Sequence, residues 1–284
     1  MVRASRLSPL ERYDRSSCAA AAQIMRHYST SFSLATQLLH APVRTDIRNL
    51  YAMVRTADEI VDSGLDPAEA AGLLDSYEDA VRCATQQRFH PDPVLHAFAL
   101  SARRCGFRDE HLKAFFASMR RDLTQSQHTE ESFAAYVYGS AEVIGLLCLD
   151  AFYSGRSHPA SLEEGAQRLG AAFQKINFLR DLHEDTARLG RTYFPGLDAA
   201  RGLDETTKNK LIAEIRADLD AARRATQQLP RGSRLGVAAA TALFSELTDI
   251  LEATPAAEIM RKRVSVPPAR KSYVVARAAA EALF

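Results

Sequence analysis

Residues 49–62 read NLYAMVRTADEIVD and residues 174–185 read QKINFLRDLHED. Both space their apolar residues three and four apart, the period of a helix that buries one side. Each also carries a line of polar groups through that pattern. At about 100° per residue, Arg55 falls about +40° from Tyr51, Asp58 about −20° and Asp62 about +20°. Counted from Gln174, Asn177 falls at about −60°, Asp181 at about −20° and Asp185 at about +20°. Arg180 and Glu184 flank that second face. His183 lies opposite it, at about 180°, which sets it aside as a catalyst despite its place in the sequence.

The helical period extends over the rest of the chain. Candidate helices run over 9–38, 43–63, 67–87, 92–105, 108–125, 130–155, 159–189, 205–228, 232–252 and 268–283, and no segment alternates like a strand. The breaks fall at Ala41-Pro42, Ser63-Gly64, His90-Pro91-Asp92-Pro93, Ser154-Gly155, Phe194-Pro195-Gly196, Pro230 and Pro267-Pro268, where helix-stopping residues gather. Connections are short and no repeat or low-complexity linker appears. An all-α chain folded as a single domain over 1–284 is the expectation.

Composition agrees. Glycine and proline number only 13 and 11, and 46% of residues are hydrophobic, enough to build a core. Lys and Arg total 36 against 35 Asp and Glu, a net charge of +1 that argues against a nucleic-acid partner. Cys18, Cys83, Cys105 and Cys148 show no metal-ligand spacing and read as core thiols of a reducing compartment. The opening MVRASRLSPLERYDR lacks the apolar stretch of a signal peptide. The longest apolar run, Val143 to Leu149, falls short of the ~18 residues that span a bilayer. These features predict a cytoplasmic protein.

Two aspartates at i and i+4 repel by roughly 0.2–0.5 kcal/mol even in water, and beside apolar surface the cost grows. One such pair is ordinarily a solvated face. Two of them, each backed by arginine and some 120 positions apart, suggest facing helices that bind cations across a bundle interior. Oxygen ligation by Asp and Asn suits Mg²⁺, with Mn²⁺ as a substitute, and such ions leave coordination positions for substrate phosphates. Arg55, Lys175 and Arg180 are placed to take the remaining phosphate charge. The implied chemistry is departure of diphosphate from an allylic carbon, leaving a carbocation in an apolar pocket. By contrast, Phe115, Phe116, Phe133, Phe152, Phe173 and Phe178 read first as plain core. Arg120, Arg121 and Asp122 read as an exposed ion pair.

With these residues in view, the chain resembles the squalene/phytoene synthase family. YAMVRTADEIVD resembles its first aspartate signature, and QKINFLRDLHEDTARLGRTYFP its second. HYSTSFSLA at 27–35 resembles the segment that covers substrate, and SMRRDL and YVYGSAEVIG resemble the intervening helices. The resemblance runs from about Tyr13 to Lys271, which would be the domain core. It implies an isoprenoid-synthase helix bundle around a deep central cavity. Asp58, Asp62, Asn177, Asp181 and Asp185 would hold Mg²⁺. Ser29, Thr30, Ser31, Phe32, Tyr51, Arg55, Gln174, Arg180, Arg263 and Lys271 would bind substrate, and Tyr136 would lie near the proton-transfer steps. Glu142 stands where the family often has glycine, a change expected in the cavity wall.

The activity so implied is that of a phytoene synthase. Two geranylgeranyl diphosphates would join head to head through a cyclopropyl diphosphate, without NADPH. The nearest alternative is a dehydrosqualene or squalene synthase using two farnesyl diphosphates. A further one is a non-catalytic helical assembly factor of the same fold. A head-to-tail elongase would carry DDxxD, and no Asp-Asp pair occurs in the chain. The lipophilic product is compatible with loose, peripheral membrane association, and Arg261, Lys262 and Arg263 are placed to graze anionic lipid.

Overall fold

Small polar residues and prolines set the helix starts in the computed structural model, which describes residues 7–186, 191–197 and 202–281. The helices are α1 (Pro9–Tyr28), α2 (Thr30–Thr36), α3 (Ala41–Val61), α4 (Pro67–Gln86), α5 (Pro93–Cys105), α6 (Asp109–Asp122) and α7 (Glu130–Val137). They continue as α8 (Val143–Tyr153), α9 (Ser161–Glu184), α10 (Glu205–Thr226), α11 (Arg231–Ala253), α12 (Ala256–Ile259) and α13 (Pro268–Glu281). Ser8 and Glu11 close a reciprocal capping box on α1. Asp66, Asp92 and Asp204 cap α4, α5 and α10 through their side chains. Among the described residues there is no strand, only an isolated bridge between Gln127 and Thr192.

The helix candidates agree with these elements to within a few residues, with four differences. The candidate over 9–38 is two helices, because the Ser29 hydroxyl accepts the Phe32 N–H at 3.2 Å and restarts the chain as α2. The candidate over 130–155 is continuous but contains a π-helical turn, Tyr138–Glu142, between α7 and α8. The short α12 has no counterpart in the sequence reading. The C-terminal ends of the candidates over 159–189 and 268–283 lie outside the described residues.

Two buried clusters flank the interior. One, from α3, α4, α5, α6 and α8, includes Leu50, Met53, Leu74, Phe98, Phe115, Phe116 and Leu147. The other, from α9, α10, α11 and the 193–197 segment, includes Ile176, Leu179, Phe194, Ile215, Phe244 and Leu251. Each such side chain contributes roughly 1.5–3 kcal/mol when buried. Close approach of α8 to α9 depends on glycine. A Cβ at Gly145 would lie 2.3 Å from the Ala166 carbonyl oxygen, and one at Gly170 would lie 2.3 Å from that of Ala141. That contact lays α9 along α8 and fixes the second aspartate helix.

Two composition readings need correction. The run Glu130–Tyr153 is long and apolar enough to cross a membrane, because four acidic residues are its only charges; more than half of its most apolar stretch is nevertheless buried in the bundle, as in a core helix. Of the cysteines, Cys105 is buried and Cys18 and Cys148 half-buried, whereas Cys83 is exposed near the end of α4.

Candidate active site

Between the two clusters lies a cavity of about 440 Å³. Its lining follows α9 from Leu162 to Asp185, about 34 Å of helix axis at 1.5 Å per residue. Apolar side chains of α8, of α11 and of the turn between α10 and α11, among them Leu149, Phe152, Leu229 and Val237, line it with Leu162. Asp58, Asp62, Asp181 and Asp185 line it at the other end. The two polar stripes, 120 positions apart in sequence, therefore share one hollow. Tyr51 and Arg55 stand on it from α3, and Gln174, Asn177 and Arg180 from α9. A dry void of this size would cost on the order of 10 kcal/mol at about 24 cal/mol per Å³. An apolar pocket with a few convergent polar groups is the form of a binding site.

The carboxylates are poorly compensated. Loss of hydration pushes the Asp58 carboxyl up to about 7, Asp62, Asp122 and Glu59 adding to the rise and Arg55 opposing it. Asp58 still keeps 32% of its side chain open, to the cavity. Burial, then Asp181 and Asp62, push Asp185 up to about 7. The nearby arginines are held by neighbours: Arg55 by Glu59, with Asp58 at 3.9 Å, and Arg180 by a fork on Asp181. The Asn177 side-chain oxygen is buried without a hydrogen-bond partner.

Residues expected to bind substrate divide between wall and rim. Phe32 enters the cavity and meets the rings of Tyr51, Phe173 and Phe244 at 6.2, 5.8 and 5.4 Å. Ser29, Thr30, Ser31, Arg263 and Lys271 do not line it. Ser29 caps α2, Ser31 follows it half-buried, and Thr30 accepts a 2.6 Å hydrogen bond from Lys271 Nζ. Arg263 Nε sits 2.9 Å from Asp181 Oδ1. Partial burial, then Arg180 and Arg263, lower the Lys271 pKa, so three cations crowd one edge of the carboxylates.

Four expectations are corrected by position. Lys175 turns away from the cavity to Asp218 at 2.9 Å, because it lies about 100° from Gln174 on the helix. Glu142 lines a separate outer groove with Gln167 and Asp218 rather than the cavity wall, since the π-helical turn carries it to that side. Asp122 is no exposed ion pair but 8% exposed and part of the cavity lining; Arg120 pairs instead with the exposed Asp75 and the buried Glu78. Phe152, Phe173 and Phe178 line the cavity, whereas Phe115, Phe116 and Phe133 are core. His183 bonds the Met260 carbonyl at 3.0 Å, away from the cavity, as its helical position requires.

Sequence reasoning placed Tyr136 near the proton-transfer steps but gave Asp122, Arg191 and Tyr193, at the same end of the cavity, no role in the site. Tyr136 donates to Asp122 Oδ2 at 2.6 Å and Tyr193 to Oδ1 at 3.3 Å. Arg191 Nη1 reaches Asp62 Oδ1 at 3.1 Å. Tyr193 stacks on Phe178 at 4.0 Å, with Tyr136 5.3 Å away, giving an aromatic wall of the kind that attracts cations. The available signal was helical phase: Asp122 lies about −20° from Phe115 and about −60° from Met119.

This donor set fits a divalent cation. It offers two under-compensated carboxylates, Asp58 and Asp185, and an orphaned amide oxygen, all hard oxygen ligands. Among the described residues no three His, Cys, Asp or Glu side chains converge to enclose an ion. Ions would thus be held by one or two carboxylates, with diphosphate oxygens and water completing the shell, the usual habit of Mg²⁺.

Comparison with known proteins follows from this geometry. The chain is 28% identical over 274 residues to phytoene synthase 3, chloroplastic, of Zea mays, covering 90% of this chain and 64% of that protein. This chain therefore spans less than two thirds of the maize protein's length. It is 28% identical over 282 residues to phytoene synthase of Mycobacterium tuberculosis, covering 92% and 89%. The fold superposes on a dehydrosqualene synthase crystallised with ligand at a TM-score of 0.74 and 20% identity, covering 96% and 99%. The squalene/phytoene synthase family model matches residues 25–270, a stretch that contains both aspartate stripes and the helices between them. On that match the chain belongs to the squalene/phytoene synthase family.

Proposed function

We propose that this protein is a prenyl transferase that condenses two geranylgeranyl diphosphates head to head to phytoene. The observation that carries the reading is the cavity itself: an apolar hollow running the length of α9 with both aspartate stripes at one end. The names of the maize and mycobacterial relatives support the C20 substrate.

Asp58, Asp62, Asn177, Asp181 and Asp185 would hold Mg²⁺, which supplies positive charge to the departing diphosphate. Arg180, Arg263 and Lys271 stand together at the rim, where they bind diphosphate oxygens once released from their carboxylate partners. Phe32 and α2 cover the chains and keep water from the cation. Tyr136, Phe178 and Tyr193 present ring faces to developing positive charge. The apolar wall between Leu162 and Phe173 receives the prenyl tails.

The test is incubation of the purified protein with Mg²⁺ and each prenyl diphosphate, with and without NADPH, followed by mass spectrometry of the hydrocarbon. A C40 product from geranylgeranyl diphosphate without NADPH is the expected result. Product from farnesyl diphosphate alone overturns the substrate assignment, and an inert protein overturns the reaction.

A further inference from the structure

We propose that Asp122 is a positioning residue for the reaction proposed above, on which this inference rests, and that it is the final acceptor of a proton taken up by Tyr136. Asp122 ends α6, is 8% exposed and lines the cavity. Among the described residues no cation pairs with it directly; phenols occupy both of its oxygens, Tyr136 at 2.6 Å and Tyr193 at 3.3 Å. A buried carboxylate without a direct cationic partner is expensive to keep in a core. Here it fixes the direction of one proton. The Tyr136 O–H donates to Asp122, no donor reaches the phenol oxygen among the described residues, and Tyr136 lines the cavity together with Asp58 and Phe178.

The stoichiometry calls for such an acceptor. Joining two allylic diphosphates into a hydrocarbon without a reductant releases two diphosphates, and two protons must leave carbon. In one of these steps a C–H bond next to the cationic carbon breaks. Its electron pair becomes the second bond of a new carbon–carbon double bond, and its proton passes to the Tyr136 oxygen. The original Tyr136 proton moves to Asp122 Oδ2, so the phenol stays neutral and the carboxylate becomes the acid. Tyr193, on the other oxygen and stacked on Phe178, keeps the carboxylate from turning away.

The experiment compares wild type with Asp122→Asn, Tyr136→Phe and the double variant, using geranylgeranyl and farnesyl diphosphates with Mg²⁺. Circular dichroism and the thermal midpoint establish that each variant is folded. For Asp122→Asn, kcat is expected to fall at least about 100-fold, the scale of a lost proton acceptor, with KM unchanged. The double variant is expected to be no slower than the slower single one, because both lesions break one relay. A kcat near wild type for Asp122→Asn, or losses that multiply in the double variant, overturns the proposal while leaving the prenyl-transfer reading intact. Should Asp122→Asn fail to fold, Asp122→Ala with added formate replaces it. Recovery with formate but not formamide supports the relay, and equal or absent recovery overturns it. A wild-type protein inert toward both substrates overturns the relay and the reading together.

Discussion

Arg191 Nη1 lies 3.1 Å from Asp62 Oδ1, although 129 positions separate the two residues. The same guanidinium donates to the Val61 carbonyl at 3.4 Å, so the segment after α9 is fastened to the end of α3. The bridge between Gln127 and Thr192 fixes that segment on its other side, where Thr192 N–H donates to the Ser126 carbonyl at 2.9 Å. Arg191→Met leaves Asp62 facing Asp58 and Asp185 without this counter-charge. Breaking the pair should cost about 1–2 kcal/mol, between the roughly 0–1 of an exposed pair and the roughly 3–5 of a buried one, because Asp62 keeps 35% of its side chain exposed. Hydrocarbon formation should fall at least about tenfold, equivalent to about 1.4 kcal/mol in the barrier. Denaturant unfolding and steady-state rates check both, and an unchanged rate would show that the tie is purely structural.

Asp58→Asn separates stability from function. With its carboxyl raised to about 7 chiefly by lost hydration, Asp58 is a strained charge at neutral pH, and the isosteric amide removes it. The thermal midpoint without metal should hold or rise, a trade-off common at sites built for a ligand. Mg²⁺ with inorganic diphosphate should stabilise the wild type by about 2.7 kcal/mol at a hundred times Kd, with chelation reversing it. Asp58→Asn should lose most of that increment and about a thousandfold in turnover, the equivalent of several kcal/mol of charge stabilisation. Calorimetric scans settle the matter, and an undiminished Mg²⁺ response in the variant would remove Asp58 from the metal site.

The carboxylate stripes were legible because helical geometry turns a spacing of four into adjacency, so Asp58/Asp62 and Asp181/Asp185 needed only a wheel. The same geometry set His183 aside correctly. Lys175 and Asp122 were misread by a different habit, that of grouping residues by sequence proximity. Lys175 neighbours Gln174 yet lies a quarter-turn away, and Asp122 follows two arginines yet shares the phase of Phe115. Glu142 was beyond any wheel, because the π-helical turn shifts the register between Tyr136 and Ile144. The rim cluster of Arg180, Arg263 and Lys271 brings together α9, α13 and the segment between α12 and α13, a meeting that only tertiary packing produces. Of these three, Arg263 and Lys271 entered the reading as substrate-binding residues through family resemblance alone.

Glu142 gives a pH-dependent prediction outside the cavity. Partial burial, and then Asp218, raise its carboxyl pKa above the usual value, against the pull of Lys175 and Arg168. The folded protein therefore holds this proton more tightly than the unfolded chain does. The contribution is fully present below the unfolded value and is lost as pH rises through the folded one. Glu142→Gln should flatten that part of the stability profile and raise neutral-pH stability by roughly 0.5 kcal/mol, a small figure because the groove is partly solvated. Thermal unfolding of both proteins from about pH 4 to pH 8 measures the slope. Parallel profiles would mean that Lys175 and Arg168 already neutralise the site.

Chain length can be tested through the wall where α9 begins. Ala166 lies on the first turns of α9 and lines the cavity with Leu162 and Leu169, while Asp185 marks the carboxylate end of the same lining, 19 positions further on. Those positions span about 28 Å at 1.5 Å per residue, so position 166 lies far from the diphosphate chemistry. Ala166→Phe adds a ring at a half-buried position of the cavity wall, beside the cluster of Leu149, Leu162, Leu229 and Val237. A C15 tail has one isoprene unit fewer to place in that space. The variant should therefore lose activity on geranylgeranyl diphosphate by about 10–200-fold, the range of a pocket misfit of 1–3 kcal/mol, while turnover of farnesyl diphosphate holds or rises. Competition between the two substrates, read as the C30 to C40 ratio of the product, measures the shift directly. Unchanged turnover of both substrates would show that the prenyl tails do not extend to Ala166, and the wall that selects length would then lie nearer Phe173.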